Sequence, residues 1–143
     1  MIKEIGHPEG KPTPLLSLVW KLQQSADELL VSKNGVGLSQ TRIMAALDKS
    51  IPYSQRRVAV ELGQTEANVS RQLKVMKKLG LVNITKSKKD HRQRDVSLTP
   101  KGYRTYTKAE QILKHHEKGL LSTMNRSDSR DFQDKANGLL HLL

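Results

Sequence analysis

The sequence predicts a mainly α-helical fold with one small β-hairpin, and three observations carry that prediction. Apolar residues recur at helical spacing in six stretches. Only two short runs, 81-LVNIT-85 and 95-DVSLT-99, alternate as strands do. Capping residues, glycines and prolines mark the junctions between these stretches.

Residues 1–14 are rich in Gly and Pro and read as an extended N-terminal arm. Pro14 suits the first turn of a helix. Leu15, Leu18, Val19, Leu22, Ala26, Leu29 and Leu30 then recur at helical spacing to about Lys33, with Leu16 and Trp20 widening the apolar face. The run Asn34-Gly35-Val36-Gly37 stops this helix. Ser39 is the expected N-cap of a second helix through Leu47, with Ile43, Met44, Ala46 and Leu47 inward. Ile51-Pro52 breaks it. Ser54 caps a third helix, which ends at Gly63, a residue suited to the left-handed C′ position. Thr65 caps a fourth, with Val69, Leu73, Met76 and Leu79 as its apolar positions and Gly80 closing it.

Two short helices joined by a Gly-containing turn, the second amphipathic and basic, form the helix-turn-helix pattern. In the hairpin that follows, Val82 and Ile84 share one face, as do Val96 and Leu98. Thr99-Pro100 starts a fifth helix, expected to run to about Met124. Its polar middle, 114–119, contains Gly119 and predicts a kink or break. Ser127 or Asp128 is expected to open a sixth helix, ending in 139-LLHLL-143. The architecture predicted is thus a winged helix-turn-helix with flanking N- and C-terminal helices.

The 143 residues suffice for one domain with a core, and no apolar run is long enough to cross a bilayer. The N-terminus lacks a signal-peptide pattern, so the cytoplasm is the expected compartment. Cysteine is absent, which excludes disulfides, thiolate zinc sites and cysteine redox sensing. The net charge is +11, and between Ser54 and Lys108 fourteen cations face four anions, a net +10. Charge confined in this way points to a polyanion, and double-stranded DNA is the expected partner. A membrane surface is not, because the basic segment has few bulky apolar residues free to insert.

Helical geometry turns Ala67, Arg71 and Lys74 away from the buried side of the fourth helix, with Asn68 and Ser70 on the flanks. A helix fits the major groove with its N-terminal residues at base edges. Arg71 suits a bidentate guanine contact, Asn68 an adenine, Ser70 a phosphate, and Ala67 close approach or a thymine methyl. Thr65 and Lys74 complete this group, while Lys77 and Lys78 read as solvated or as loose phosphate contacts. In the hairpin loop, Lys86, Lys88, Lys89, Arg92 and Arg94 face the single anion Asp90. Arg92 is expected at the wing tip in the minor groove, oriented by an ion pair with Asp90. Ser54, Gln55 and Arg56 are expected phosphate contacts ahead of the recognition helix.

No phosphate loop, HExxH or nucleophile elbow appears, so neither catalysis nor a cofactor is expected. His115, His116 and Glu117 are adjacent and splay across helix faces; a zinc site would need His7, His91 or His141 brought near. A solvated or interface role is the expectation.

The motifs resemble those of the MarR family, the multiple-antibiotic-resistance regulators. The wing pattern D-x-R, an apolar strand, then L-T-x-x-G is similar to Asp90-His91-Arg92 followed by Leu98-Thr99-Pro100-Lys101-Gly102. Val69-Ser70-Arg71 and Leu79-Gly80-Leu81-Val82 also fit, whereas His91 stands where the family often has a second arginine. The resemblance implies a dimerisation helix at 15–34 and a DNA-binding domain at 38–99, with recognition helix 65–80 and wing 81–99. It implies a long linking helix and C-terminal dimerisation helices over 100–143. The broad apolar face of the first helix and the four terminal leucines agree with a homodimer.

The resemblance further implies a sequence-specific transcriptional regulator, a repressor by family, on a pseudo-palindromic operator. Two other readings are a sequence-tolerant winged-helix protein, architectural or replication-associated, and a module whose wing contacts an acidic protein. Family members often bind small anions in a crevice beside the dimer helices. Trp20, Tyr53 and Tyr103 serve a core as readily, and no effector residue is assigned.

Overall fold

The computed structural model describes residues 13–48 and 51–143. Most of the expected arm, and His7 with it, lies outside these residues. The described elements are α1 (Pro14–Asn34), α2 (Leu38–Leu47), β1 (Tyr53–Ser54), α3 (Gln55–Leu62), α4 (Glu66–Lys78), β2 (Val82–Lys86), β3 (Arg94–Leu98), α5 (Pro100–Leu121) and α6 (Arg126–Leu142).

Local capping chemistry sets most boundaries. Thr13, Ser54, Thr65 and Thr99 each have extended backbone, and each side chain accepts an N–H from the first turn of its helix. Gly35 and Gly63 end α1 and α3 in the left-handed region, at φ 77° and 63°.

The strands form one antiparallel sheet in the order β1-β3-β2. Val82 pairs with Leu98, Ile84 with Val96 and Lys86 with Arg94. The hairpin is therefore as expected, but β1 is an addition: Tyr53 pairs with Val96 on the far side of β3. The core gathers Ile43, Met44 and Leu47 of α2, Val58 of α3, Val69, Leu73 and Met76 of α4, and Val82, Val96 and Leu98 of the hairpin. Leu79, expected inward, is exposed at the end of α4.

Three helix boundaries differ from expectation. Gly37, not Ser39, precedes α2: the Leu38 N–H is taken by the Asp27 carboxylate of α1 at 2.8 Å, and the Gly37 N–H by Gln40 at 3.0 Å. The capping acceptor comes from another helix, so a local serine is not needed. A Cβ on Gly37 would collide with that Asp27 oxygen. In α5, the helix runs unbroken through Gly119 and stops at Leu121 rather than Met124. The hydroxyls of Ser122 and Thr123 donate to the carbonyls of Gly119 and Leu120 at 2.7 and 2.8 Å, closing the last turn. Finally, Asn125 rather than Ser127 or Asp128 caps α6, accepting the Asp128 N–H at 2.8 Å.

Outside this core, α1 packs along α5, and α2 sits against both α3 and α5. The apolar face of α1 stays open, with Leu15 and Leu16 each 59% exposed. No residue of α6 is buried, and Leu140 and Leu142 are 68% and 81% exposed. An apolar groove of about 670 Å³ runs between these helices, lined by Leu18, Leu22, Leu113, Leu120, Phe132 and Leu140 among others.

Candidate nucleic-acid interface

The helix α4 buries Val69, Leu73 and Met76 completely. That fixes its rotation and turns Ala67, Arg71 and Lys74 outward, with Asn68 and Ser70 half-buried on the flanks. Thr65 sits at the cap, accepting the Asn68 N–H at 3.2 Å. Its hydroxyl proton stays available for an external acceptor. Ser54 is used in the same way at the start of α3, accepting the Arg57 N–H at 3.1 Å.

Arg56 is exposed and lies 3.8 Å from Glu66, a loose surface pair that links the starts of α3 and α4. Such a pair contributes little to stability and leaves the guanidinium free to exchange partners. Arg57, by contrast, stacks over the Tyr53 ring at 4.3 Å and is occupied there.

Between α4 and the hairpin lies a recess of about 410 Å³, lined by Gln55, Ser70, Lys74, Lys77, Ile84 and Arg94. It brings one expected residue of α3, two of α4 and one of the wing onto a single concavity. Lys77, read from the sequence as solvated or a loose phosphate contact, joins them there. Its spacing carried the signal, since Ser70, Lys74 and Lys77 stand at i, i+4 and i+7 on one helix stripe. At the loop end of the hairpin strands Lys86 and Arg94 are paired directly across the strands. Like charges in that register destabilise a hairpin unless an anion lies between or over them.

Hydrogen bonds close the wing tip into a turn. Ser87 is buried; its hydroxyl accepts the N–H groups of Lys89 and Asp90 at 3.3 and 3.4 Å, and its own N–H reaches the Gln93 carbonyl at 3.0 Å. Asp90 accepts the backbone N–H of Arg92 at 3.0 Å. This corrects the expected Asp90–Arg92 ion pair: the carboxylate shapes the turn through the main chain, because a two-residue separation brings that N–H within reach first. Lys88, Lys89 and Arg92 project from this turn, all exposed.

The root of the wing is held to α5 by backbone contacts. Thr99 donates its N–H to the Leu81 carbonyl at 3.0 Å, and its hydroxyl bonds the Gly80 carbonyl. Lys101 reaches the Leu79 carbonyl at 2.7 Å. Gly102 lies directly on the Leu81 carbonyl, leaving no room for a Cβ.

Elsewhere, His116 bonds the Ser25 hydroxyl at 2.8 Å, joining α5 to α1. No group of three potential metal ligands converges among the described residues. Burial, then the Glu110 carboxylate that accepts its O–H at 3.2 Å, raises the Tyr106 phenol above its ordinary range. Among the described residues no helix is long and apolar enough to cross a membrane.

Residues 34–93 match the sequence model of the MarR family. No curated protein matches the chain in sequence. In fold it is similar to the crystal structure of MarR, with TM-score 0.82 at 14% identity, covering 90% of this chain and 96% of that one. The transcriptional repressor CouR, bound to a 23-mer DNA duplex, superposes with TM-score 0.75 at 21% identity, covering 88% and 89% of the two chains. MepR, a regulator of the Staphylococcus aureus multidrug efflux pump MepA, gives TM-score 0.75 at 18% identity, covering 89% and 93%.

Proposed function

We propose that the chain is a member of the MarR family, whose sequence model residues 34–93 match and whose solved structures share its fold, and that it is a sequence-specific regulator of transcription that binds double-stranded DNA as a homodimer. Proteins of this family are DNA-binding regulators, not enzymes. In the proposed complex α4 enters the major groove, Arg71 and Asn68 meet base edges, and the wing carries Arg92 into the adjacent minor groove. Lys74, Lys77 and Arg94, with Ser70 and Gln55, hold backbone phosphate in the recess between α4 and the hairpin. By family likeness the protein represses, occupying a pseudo-palindromic operator.

The observation that carries this reading is the convergence of cations from α4 and β3 on that one recess. A surface of this kind is self-repelling when empty and is relieved by phosphate. The dimer rests on the open apolar faces of α1 and α6 and the groove between them. A two-fold partner covering them sets the recognition helices about one DNA turn apart, ~34 Å.

Selection of bound fragments from a genomic library, followed by affinity measurements across salt, tests the function. A dimer neutralising roughly 6–10 phosphates loses about 10³–10⁵ in affinity between 50 and 200 mM salt. Recovery of one recurrent palindrome, bound far more tightly than random duplex, is the expected result. The same salt slope without a preferred sequence would favour the sequence-tolerant reading instead. For the wing, Arg92→Ala is expected to weaken binding most on operators with A·T-rich flanks, where the minor groove is narrow. If A·T and G·C flanks respond alike, Arg92 is not a minor-groove residue.

A further inference from the structure

Gln64 occupies the turn between α3 and α4, with its backbone N–H fixed on the Ala59 carbonyl at 2.9 Å. Its half-buried side chain offers one oxygen to two donors. The amide nitrogens of Asn68 and Gln72 both reach Gln64 Oε1, each at 3.1 Å. The oxygen of Gln72 in turn accepts the hydroxyl of Ser39, at the start of α2. Ser39 is itself well placed, because the preceding Leu38 is tied to Asp27 of α1.

These four side chains form a chain with a direction. In this arrangement the Ser39 hydroxyl donates to the Gln72 oxygen, and the Gln72 nitrogen donates to Gln64. Gln64 presents its oxygen to both amides, and Asn68 answers with its nitrogen. What Asn68 has left to offer outward is its Oδ1 acceptor and its second Nδ2 hydrogen. One acceptor beside one donor complements the N6 donor and N7 acceptor of adenine; guanine shows two acceptors on that edge.

We propose that Gln64 is a positioning residue for base recognition: with Gln72 and Ser39 it orients the Asn68 amide so that adenine is preferred where Asn68 meets the groove. This rests on the reading above that the first turns of α4 enter the major groove. Gln64 touches no base. It acts by removing the freedom of Asn68 to flip, and a polar network of this kind depends on every member being satisfied.

Selection from a randomised duplex library, using the full chain, measures the base preference position by position. Asn68→Ala is expected to lower discrimination at one A·T pair by roughly ten- to a hundredfold. Gln64→Ala, and the shape-preserving Gln64→Met, are expected to relax discrimination at that same pair. Preferences at the other pairs, the salt slope and the melting temperature should stay close to the parent. Gln64→Glu keeps an oxygen facing both amides, so it should retain the adenine preference while binding all DNA more weakly. An even loss across all pairs in Gln64→Ala and Gln64→Met, or an intact preference, would overturn the positioning role. If Asn68→Ala itself changes no preference, both the base-reading assignment and the positioning role fail. If Asn68→Ala relaxes a pair and neither Gln64 variant does, the positioning role alone fails.

Discussion

Gly102→Ala is expected to destabilise the fold by about 2 kcal/mol, lowering the melting temperature by roughly 5 °C. The backbone of Gly102 is not in the left-handed region, so the cost is steric rather than dihedral. A Cβ there meets the carbonyl oxygen and carbon of Leu81 and comes within 3.1 Å of Leu98 Cδ2. The first two are main-chain atoms and cannot step aside by a rotamer change. The Leu81 carbonyl already holds the Thr99 N–H, and the Leu81 N–H bonds the Met76 carbonyl at 2.9 Å. Displacing it would loosen the end of α4, the hairpin and the start of α5 together. Gly119→Ala supplies the control in the same helix. Nothing lies within 4 Å of its added Cβ, and α5 is helical there, so alanine should stabilise by about 0.5–1 kcal/mol. Thermal or urea unfolding of the pair decides the matter, and shifts of the same sign would refute the steric account.

Arg71→Ala is expected to cost roughly 1–3 kcal/mol of binding to the selected operator and distinctly less on random duplex. The side chain projects from the exposed face of α4. Among the described residues no ion pair or hydrogen bond engages it, so its guanidinium is free for a bidentate contact. Removing it should leave folding stability within about 0.5 kcal/mol of the parent, as for other exposed positions. Competition binding with operator and random DNA at one salt concentration measures both losses. Equal losses would make Arg71 a phosphate contact.

Signals confined to one short stretch were legible in the sequence. Ser54, Thr65 and Thr99 cap the helices they precede, and Gly63 turns left-handed after Leu62, because each of these roles is filled by the residue's own chemistry. The rotation of α4 followed from the spacing of Val69, Leu73 and Met76. What stayed hidden depends on a distant partner. The two-residue strand β1 exists only because Val96 and Asp95 lie beside it. The start of α2 is set by Asp27 in α1, and no pattern around Ser39 announces that. In the interface, the cationic face of α4 was visible, but its meeting with Arg94 in one recess needs the sheet to form. Asp90 was singled out correctly as a partner of Arg92, yet the atom it holds is the main-chain nitrogen, which charge pairing alone does not suggest.

The junction at Gly102 has a mechanical consequence. Seated on the Leu81 carbonyl and pinned through Thr99 and Lys101, the wing root cannot turn independently of α5. The 22 residues of α5 make a rod about 33 Å long, with the wing at one end and the α1–α6 face toward the other. A pivot of roughly 6° at the far end would therefore sweep the wing by about 3.4 Å, one base-pair step. In a two-fold dimer, the angle between two such rods acts as a gauge of half-site spacing. On the proposed wing contact with DNA, anything that wedges or closes that angle by a few degrees would put both wings out of step with the double helix.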